Sequence, residues 1–289
     1  MSDEVKTAAV DETAAGVSRF AAGVEYQGTH YYGYQIQQNG LPTIQAELEK
    51  AFAQVAGGVR IDIHGAGRTD ALVHASEQVV HFDSPVARSE RAWLYGVNRY
   101  LPKDISLLWV KAVPSHFDAR FRACRRRYRY VIYSDPIRPS LLRNTVTWTH
   151  KPLDAERMQE AAQSLLGTHD FSSFRASECQ AKSPVKTITN IDVSRFGRFI
   201  VLDVRADGFL HHMVRNLAGT LMSVGAGEQP VSWVKDVLEL RNRVHAGVTA
   251  PPQGLYMVRV EYPTEFVLPH REPGPCFLSA MPDVFERVK

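Results

Sequence analysis

Cysteine is scarce in this chain. Only Cys124, Cys179 and Cys276 occur in 289 residues, an odd number, far apart and with no Cys-x-x-Cys pair. That excludes a disulfide framework and a paired-cysteine structural zinc site, and it fits a reducing compartment, the cytoplasm. Long apolar runs are also missing: none approaches the roughly 20 residues that a membrane span needs. The first residues are acidic and carry no apolar segment, so no signal peptide is expected. Nor is there a large charge of either sign. The net charge of +3 does not by itself announce a nucleic-acid partner. It is uneven, however: residues 1–19 carry −2, which leaves +5 on the remainder. What is present is ordinary for a soluble globular enzyme, with 44% hydrophobic and 22% charged residues. The length suits two compact domains or one large one.

The chain is organised around His64-Gly65-Ala66-Gly67-Arg68-Thr69-Asp70-Ala71-Leu72-Val73-His74-Ala75. The alternating residues Val59, Ile61 and Ile63 predict a strand leading into it. Two glycines then break the run. In an extended segment Arg68 and Asp70, two positions apart, leave on the same face. A guanidinium beside a carboxylate favours its ionised form and fixes its orientation. Such an aspartate at a strand end presents a nucleophile or a general base. The plainer alternative is a turn in which Asp70 caps the next helix and Arg68 is solvated.

Residues 1–16 read as a disordered leader. A first strand over 19–26 is followed by Tyr31-Tyr32-Gly33-Tyr34-Gln35, either a packed loop or a surface on which bases stack. Helical spacing of Ile44, Leu48, Phe52 and Val55 predicts a helix over 43–55, capped by Thr43. A strand over 78–83, a helix from Ser89 to about Tyr100 and a strand over 105–113 complete a split βαβ order. The second half repeats the outline: a helix capped by Asp154, a hairpin across Phe196-Gly197, helices over 210–224 and 231–241, and a strand over 255–262 with Tyr256, Val258, Val260 and Tyr262 on one face. The expectation is an α+β protein of two ferredoxin-like (split βαβ) halves, their mostly antiparallel sheets joined across a central catalytic cleft. The expected division is a leader at 1–16, an N-terminal domain over 17–115 with the aspartate loop, a C-terminal domain over 116–270 and a tail over 271–289.

Six arginines, at 120, 122, 125, 126, 127 and 129, fall within ten positions, interleaved with Phe121, Tyr128 and Tyr130. A charged edge strand explains that as well as a nucleic-acid surface does. Lysine would also protect an edge, though, whereas guanidinium forks match phosphate oxygens and stack on bases.

Beyond these single readings, Gly67-Arg68-Thr69-Asp70, Arg126-Arg127-Tyr128-Arg129-Tyr130, His169-Asp170-Phe171-Ser172-Ser173-Phe174-Arg175, His211-His212-Met213-Val214-Arg215-Asn216 and Gly254-Leu255-Tyr256 together resemble the tRNA pseudouridine synthase A family, in order and from about residue 19 to 278. The resemblance implies conversion of uridines at tRNA positions 38, 39 and 40, on the 3′ side of the anticodon stem and loop, to pseudouridine. It implies no cofactor and no metal, a tRNA partner and a homodimer. Asp70 matches the catalytic aspartate and Arg215 the arginine that pairs with it. Tyr128 matches the tyrosine lying against the target base, and Leu255 the apolar pocket wall. Arg68 would fill the space left by a flipped base. Arg88, the segment Phe117, Asp118, Ala119, Arg120 and Phe121, then Arg126, Arg129 and Arg175, and the loop Glu178, Cys179, Gln180, Ala181 and Lys182 would hold the RNA. The chain departs at Leu72, where the family usually has Gly. A positive φ there would cost a leucine about 1 kcal/mol or more; if the site only requires a small residue, Leu72 would crowd the pocket mouth.

Two other readings compete. A metal-dependent hydrolase would use Asp62, His64, Asp70 and His74, but no ligand motif accompanies them, and His211 and His212 are expected to point apart from one helix. A non-catalytic RNA-binding protein would use the basic strand equally well, but it has no use for a carboxylate facing phosphates.

Overall fold

The fold is described by a computed structural model covering residues 18–38, 40–280 and 285. The expected leader lies outside the described residues, as does most of the tail beyond 280.

In the first half, β1 (Ser18–Tyr26), α1 (Ile44–Val55), β2 (His64–Gly65), β3 (His74–Ser84), α2 (Glu90–Tyr100) and β4 (Ile105–Ala112) follow one another. Thr43 Oγ1 accepts from the Ala46 amide and Ser89 Oγ from the Ala92 amide, so each helix starts where its cap satisfies an orphan donor. The strands lie in the order β4-β1-β3, with β2 against β3. Only His64 and Gly65 form that short ladder. The strand expected from Val59 onward is absent; Ile61 and Ile63 are buried beside an exposed Asp62, but no neighbouring strand pairs with them.

The second half runs β5 (Arg125–Ser134), β6 (Thr147–Thr149), α3 (Ala155–Ala162), β7 (Gly167–Asp170), β8 (Val185–Phe196), β9 (Phe199–Ala206), α4 (Met213–Gly225), α5 (Trp233–Leu240) and β10 (Leu255–Glu261). Asp154 caps α3, accepting from the Glu156 and Arg157 amides. Its strands lie in the order β10-β5-β9-β8-β7. Taken without the short β6 and β7, both halves share one plan: the last strand, the first, the third and the second, side by side.

The halves join into one ten-stranded sheet through a parallel contact of β10 with β3, Tyr256 beside His74 and Met257 beside Ala75. One large core lies where the helices pack, uniting Phe52, Phe82 and Trp93 with Met158, Leu217 and Leu221. A smaller cluster on the other face holds Val131, Val201, Tyr256, Val258 and Leu278. A bulge between Met257 and Arg259 breaks the expected alternation of β10. Tyr256 and Val258 therefore join the smaller cluster while Val260 belongs to the large core. Among the described residues no helix is long and apolar enough to cross a membrane.

Candidate active site

A cleft of about 710 Å³ opens where β3, β10 and β5 meet. The aspartate loop forms one wall. The Ala66 amide donates to the Val79 carbonyl, and Gln78 Nε2 donates to the Gly67 carbonyl, so the glycines are tied to β3. Thr69 bonds the Tyr26 hydroxyl at 2.8 Å and accepts the Tyr34 amide on its carbonyl. Gly33, at φ +94, presses so close that a Cβ there would sit 2.7 Å from that same carbonyl. The tyrosine loop is thus a buttress. Tyr31 and Tyr34 are buried, and among its three tyrosines only Tyr32 is exposed.

Asp70 opens a turn closed by the Val73 amide on the Asp70 carbonyl. Leu72 occupies the third position of that turn at φ +67, where glycine is the natural residue. Its side chain lines a separate cavity of about 830 Å³ with Arg143 and Trp148, not the Asp70 cleft. Backbone strain, rather than crowding, is the consequence of the departure.

The opposite wall comes from the C-terminal half. Arg215, in the first turn of α4, is held by its Nε bond to the Ala250 carbonyl at 2.9 Å and reaches Asp70 Oδ2 with Nη1 at 3.3 Å. Arg68 does not share that pairing: it is exposed at the cleft and makes no hydrogen bond or ion pair among the described residues. Two residues the sequence reading set aside also converge on Asp70. His211 Nε2 lies 3.3 Å from Oδ1 and His212 Nε2 lies 3.3 Å from Oδ2. The expectation that they diverge from a helix is wrong because α4 begins only at Met213. His212 precedes it in the left-handed region at φ +60, which lets both rings turn the same way. Burial lowers the pKa of His212; the nearby charges of Arg215 and His211 push in the same direction against the pull of Asp70.

Tyr128 and Leu255 line the cleft and are nearly buried. Phe209 stands edge-on to Tyr128, with ring centroids 4.9 Å apart. Burial raises the Tyr128 hydroxyl well above its ordinary range, so it stands in the cleft as a neutral phenol.

The arginine run divides by strand periodicity. Arg126 and Tyr128 face the cleft, and Arg126 also bonds the Ala66 and Arg120 carbonyls. Arg127 and Arg129 face the other way and are each 2% exposed. Arg127 forks onto the fully buried carboxylate of Asp203 on β9, at 2.7 Å through Nη2, and Arg129 donates to the same carboxylate through Nε at 2.8 Å. Arg129 also donates to the Pro273 and Gly274 carbonyls. Its expected RNA contact is therefore corrected, because its donors are spent inside the protein.

Phe117 and Ala119 are likewise fully buried. Phe117 packs on His81, Tyr262 and Phe266, while Ala119 donates its amide to His81 Nδ1 and accepts from the Tyr262 hydroxyl. They anchor the turn that exposes Arg120 and Phe121 at the rim, a turn capped by Asp118 through both of those amides. Arg175 points into the chain, donating to the Cys179 and Ala181 carbonyls. It shapes the rim loop rather than lining the cleft. Glu178, Cys179, Gln180 and Ala181 line the cleft; Lys182 lies just beyond, and Arg88 is exposed in the turn before α2, away from it. The same loop is stapled to the histidines: the Ala176 amide bonds the His211 carbonyl, and Cys179 Sγ accepts the His211 amide at 3.4 Å. Burial opposes ionisation of this thiol, but the His211 and Ala181 amides and the Arg175 guanidinium outweigh it, and its pKa is lowered.

Comparison with known proteins places the chain in a family. A family model described as tRNA pseudouridine synthase matches residues 22–122 and 161–263. The tRNA pseudouridine synthase A of Pseudomonas aeruginosa is 58% identical over 284 residues, covering 98% of this chain and 99% of that protein. Those of Actinobacillus succinogenes and an Enterobacter species are 53% and 51% identical, covering 90% and 91% of this chain and nearly all of each relative. Matches of that extent reach both halves and both walls of the cleft: the chain belongs to the tRNA pseudouridine synthase family.

Proposed function

We propose that this chain isomerises uridine to pseudouridine in tRNA, on the 3′ side of the anticodon stem and loop, with Asp70 as its catalytic carboxylate. The observation that carries this reading is Asp70 itself: one partly exposed carboxylate in the cleft, contributed by one half and braced by Arg215 from the other. The reaction breaks the bond from uracil N1 to the ribose, turns the detached base and rejoins it through C5. An ionised carboxylate serves either as the covalent partner or as the base for a ribose proton. Tyr128 offers a face for the uracil and a neutral hydroxyl for proton relay. Leu255 supplies an apolar wall that keeps water from the detached intermediate.

A uridine within a stem has to leave the stack to reach Asp70. Arg68 suits the role of replacing it, being exposed at the cleft mouth and without a partner among the described residues. Arg120, Phe121, Arg126 and the 178–182 loop surround the mouth and would hold the RNA backbone, with Arg88 on an outlying surface. A homodimer and a cytoplasmic location complete the reading. Chromatography with light scattering tests the first: a protein that is monomeric with and without tRNA refutes it.

The test uses an unmodified tRNA transcript, the purified protein and EDTA, with pseudouridine mapped by carbodiimide-dependent reverse-transcription stops. Stops at positions 38 to 40 are expected with the native chain and none with Asp70→Asn, which should still bind tRNA. Equal modification by Asp70→Asn would sink the mechanism. Tight binding with no modification by the native chain would favour the non-catalytic RNA-binding reading.

A further inference from the structure

We propose that Asp70, His211 and His212 form a three-ligand site for a divalent transition-metal ion, Zn²⁺ above all, and that its occupancy silences the enzyme. The three offer one carboxylate and two imidazole nitrogens, and their ligand atoms all lie within 4.8 Å of one another. Each imidazole Nε2 stands 3.3 Å from a carboxylate oxygen, longer than the 2.7–2.9 Å of a charge-assisted hydrogen bond. A tetrahedral ion with bonds of about 2.0–2.1 Å holds neighbouring ligand atoms ~3.3 Å apart. Each nitrogen-to-oxygen spacing is thus one that two ligands of a shared ion have, with the imidazoles approaching opposite oxygens of the carboxylate. Two nitrogens and one oxygen suit zinc and its first-row neighbours, not the hard Mg²⁺ that accompanies tRNA. All three side chains are partly exposed at the cleft, so an ion can enter. Glu178 in the same lining adds negative potential. Arg215, on the Oδ2 oxygen that His212 approaches, opposes it and keeps the affinity moderate.

The inhibitory half of the proposal rests on Asp70 being the catalytic carboxylate; the binding half does not. Zinc is titrated into metal-free protein against a chromophoric chelator, with Mg²⁺ in excess. One Zn²⁺ per chain is expected. Asp70→Asn and the double variant His211→Gln/His212→Gln should each weaken binding at least about tenfold. Substituting serine for the exposed Cys124 and Cys276 should leave it unchanged. A native chain that takes up no zinc, a double variant that binds as tightly, or loss on removing those two cysteines would overturn the site. Cobalt on the native protein gives a check that needs no variant: a thiolate-to-metal charge-transfer band would place the ion on cysteine instead. In the modification assay, zinc should block pseudouridine formation at the same midpoint as binding, and EDTA should restore it. Zinc bound without inhibition refutes the silencing. A chain that binds zinc as described yet never modifies tRNA refutes the catalytic reading and leaves the metal site standing.

Discussion

The division of the arginine run makes a quantitative prediction. Asp203 is fully buried and accepts from Arg127 Nε and Nη2 and from Arg129 Nε at 2.7–2.8 Å. Asp203→Ala leaves two guanidiniums, each 2% exposed, facing one another without their shared counter-ion. Breaking a buried pair by removing one partner costs about 3–5 kcal/mol, most of it the uncompensated charge. The Arg129 bonds to the Pro273 and Gly274 carbonyls survive, which keeps the cost inside that range rather than doubling it. At about 2–4 °C per kcal/mol for a chain approaching this size, thermal unfolding should fall by roughly 6–20 °C. Arg129→Ala should also destabilise, yet leave the salt slope of tRNA binding unaltered at a temperature where it stays folded. Arg126→Ala should do the reverse, lowering the slope with little change in melting. Both are read by calorimetry and by filter binding across a salt series. An Asp203→Ala protein that melts within 2 °C of the native chain, or an Arg129→Ala protein with a shallower salt slope, would refute the assignment of faces.

Three further outcomes are expected. Leu72→Gly removes a left-handed leucine worth about 1–2 kcal/mol of strain and adds about 0.5–1 kcal/mol of unfolded-chain entropy. It should therefore stabilise by roughly 0.5–1 kcal/mol without altering turnover; a gain in activity would instead mean that Leu72 obstructs the cleft. Burial pushes His74 and His81 down to about 4 from 6.5, and the Nδ1 of each accepts a backbone amide. The folded state then binds fewer protons than the unfolded chain between those values, so stability is full above pH 6.5 and declines as pH falls toward 4, by up to about 3 kcal/mol per histidine. Urea midpoints that are level from pH 7.5 to 4.5 would contradict that. Arg175→Ala frees the Cys179 and Ala181 carbonyls and should raise KM for tRNA several-fold while changing kcat less; an unchanged KM would remove the 178–182 loop from the RNA interface.

Much of the fold was legible from local chemistry. Thr43, Ser89 and Asp154 each accept the amides that their positions imply, and the split βαβ order of the first half recurs in the second. What was not legible depends on distant partners. The pattern Val59, Ile61, Ile63 alternates in burial but has no strand beside it. β6 and β7, of three and four residues, are too short to show a period. Counting arginines cannot reveal that Asp203, more than seventy positions away, claims two of them. His211 and His212 were misjudged because hydrophobic spacing continues back through Leu210, and only the left-handed backbone at His212 shows that the helix has not yet begun.

The position of the site follows from the junction of the two halves. β10 and β3 run parallel, so the beginnings of both strands lie at one end of the sheet. The chain entering β3 is the Asp70 turn, four residues before His74, and the first residue of β10 is Leu255. Antiparallel pairing of β10 with β5 then sets Tyr128 opposite Met257 and Tyr130 opposite Leu255, on the cleft face. An antiparallel junction would have placed the start of β10 at the far end of β3, separating the pocket wall from the carboxylate by the length of a strand. On the reverse face the ring of His74 stacks on Tyr256 at 4.8 Å, and its Nε2 bonds the Gln253 carbonyl. A ladder of only two registered pairs is thereby fixed from behind, which holds an aspartate from one half within reach of an arginine and two histidines from the other.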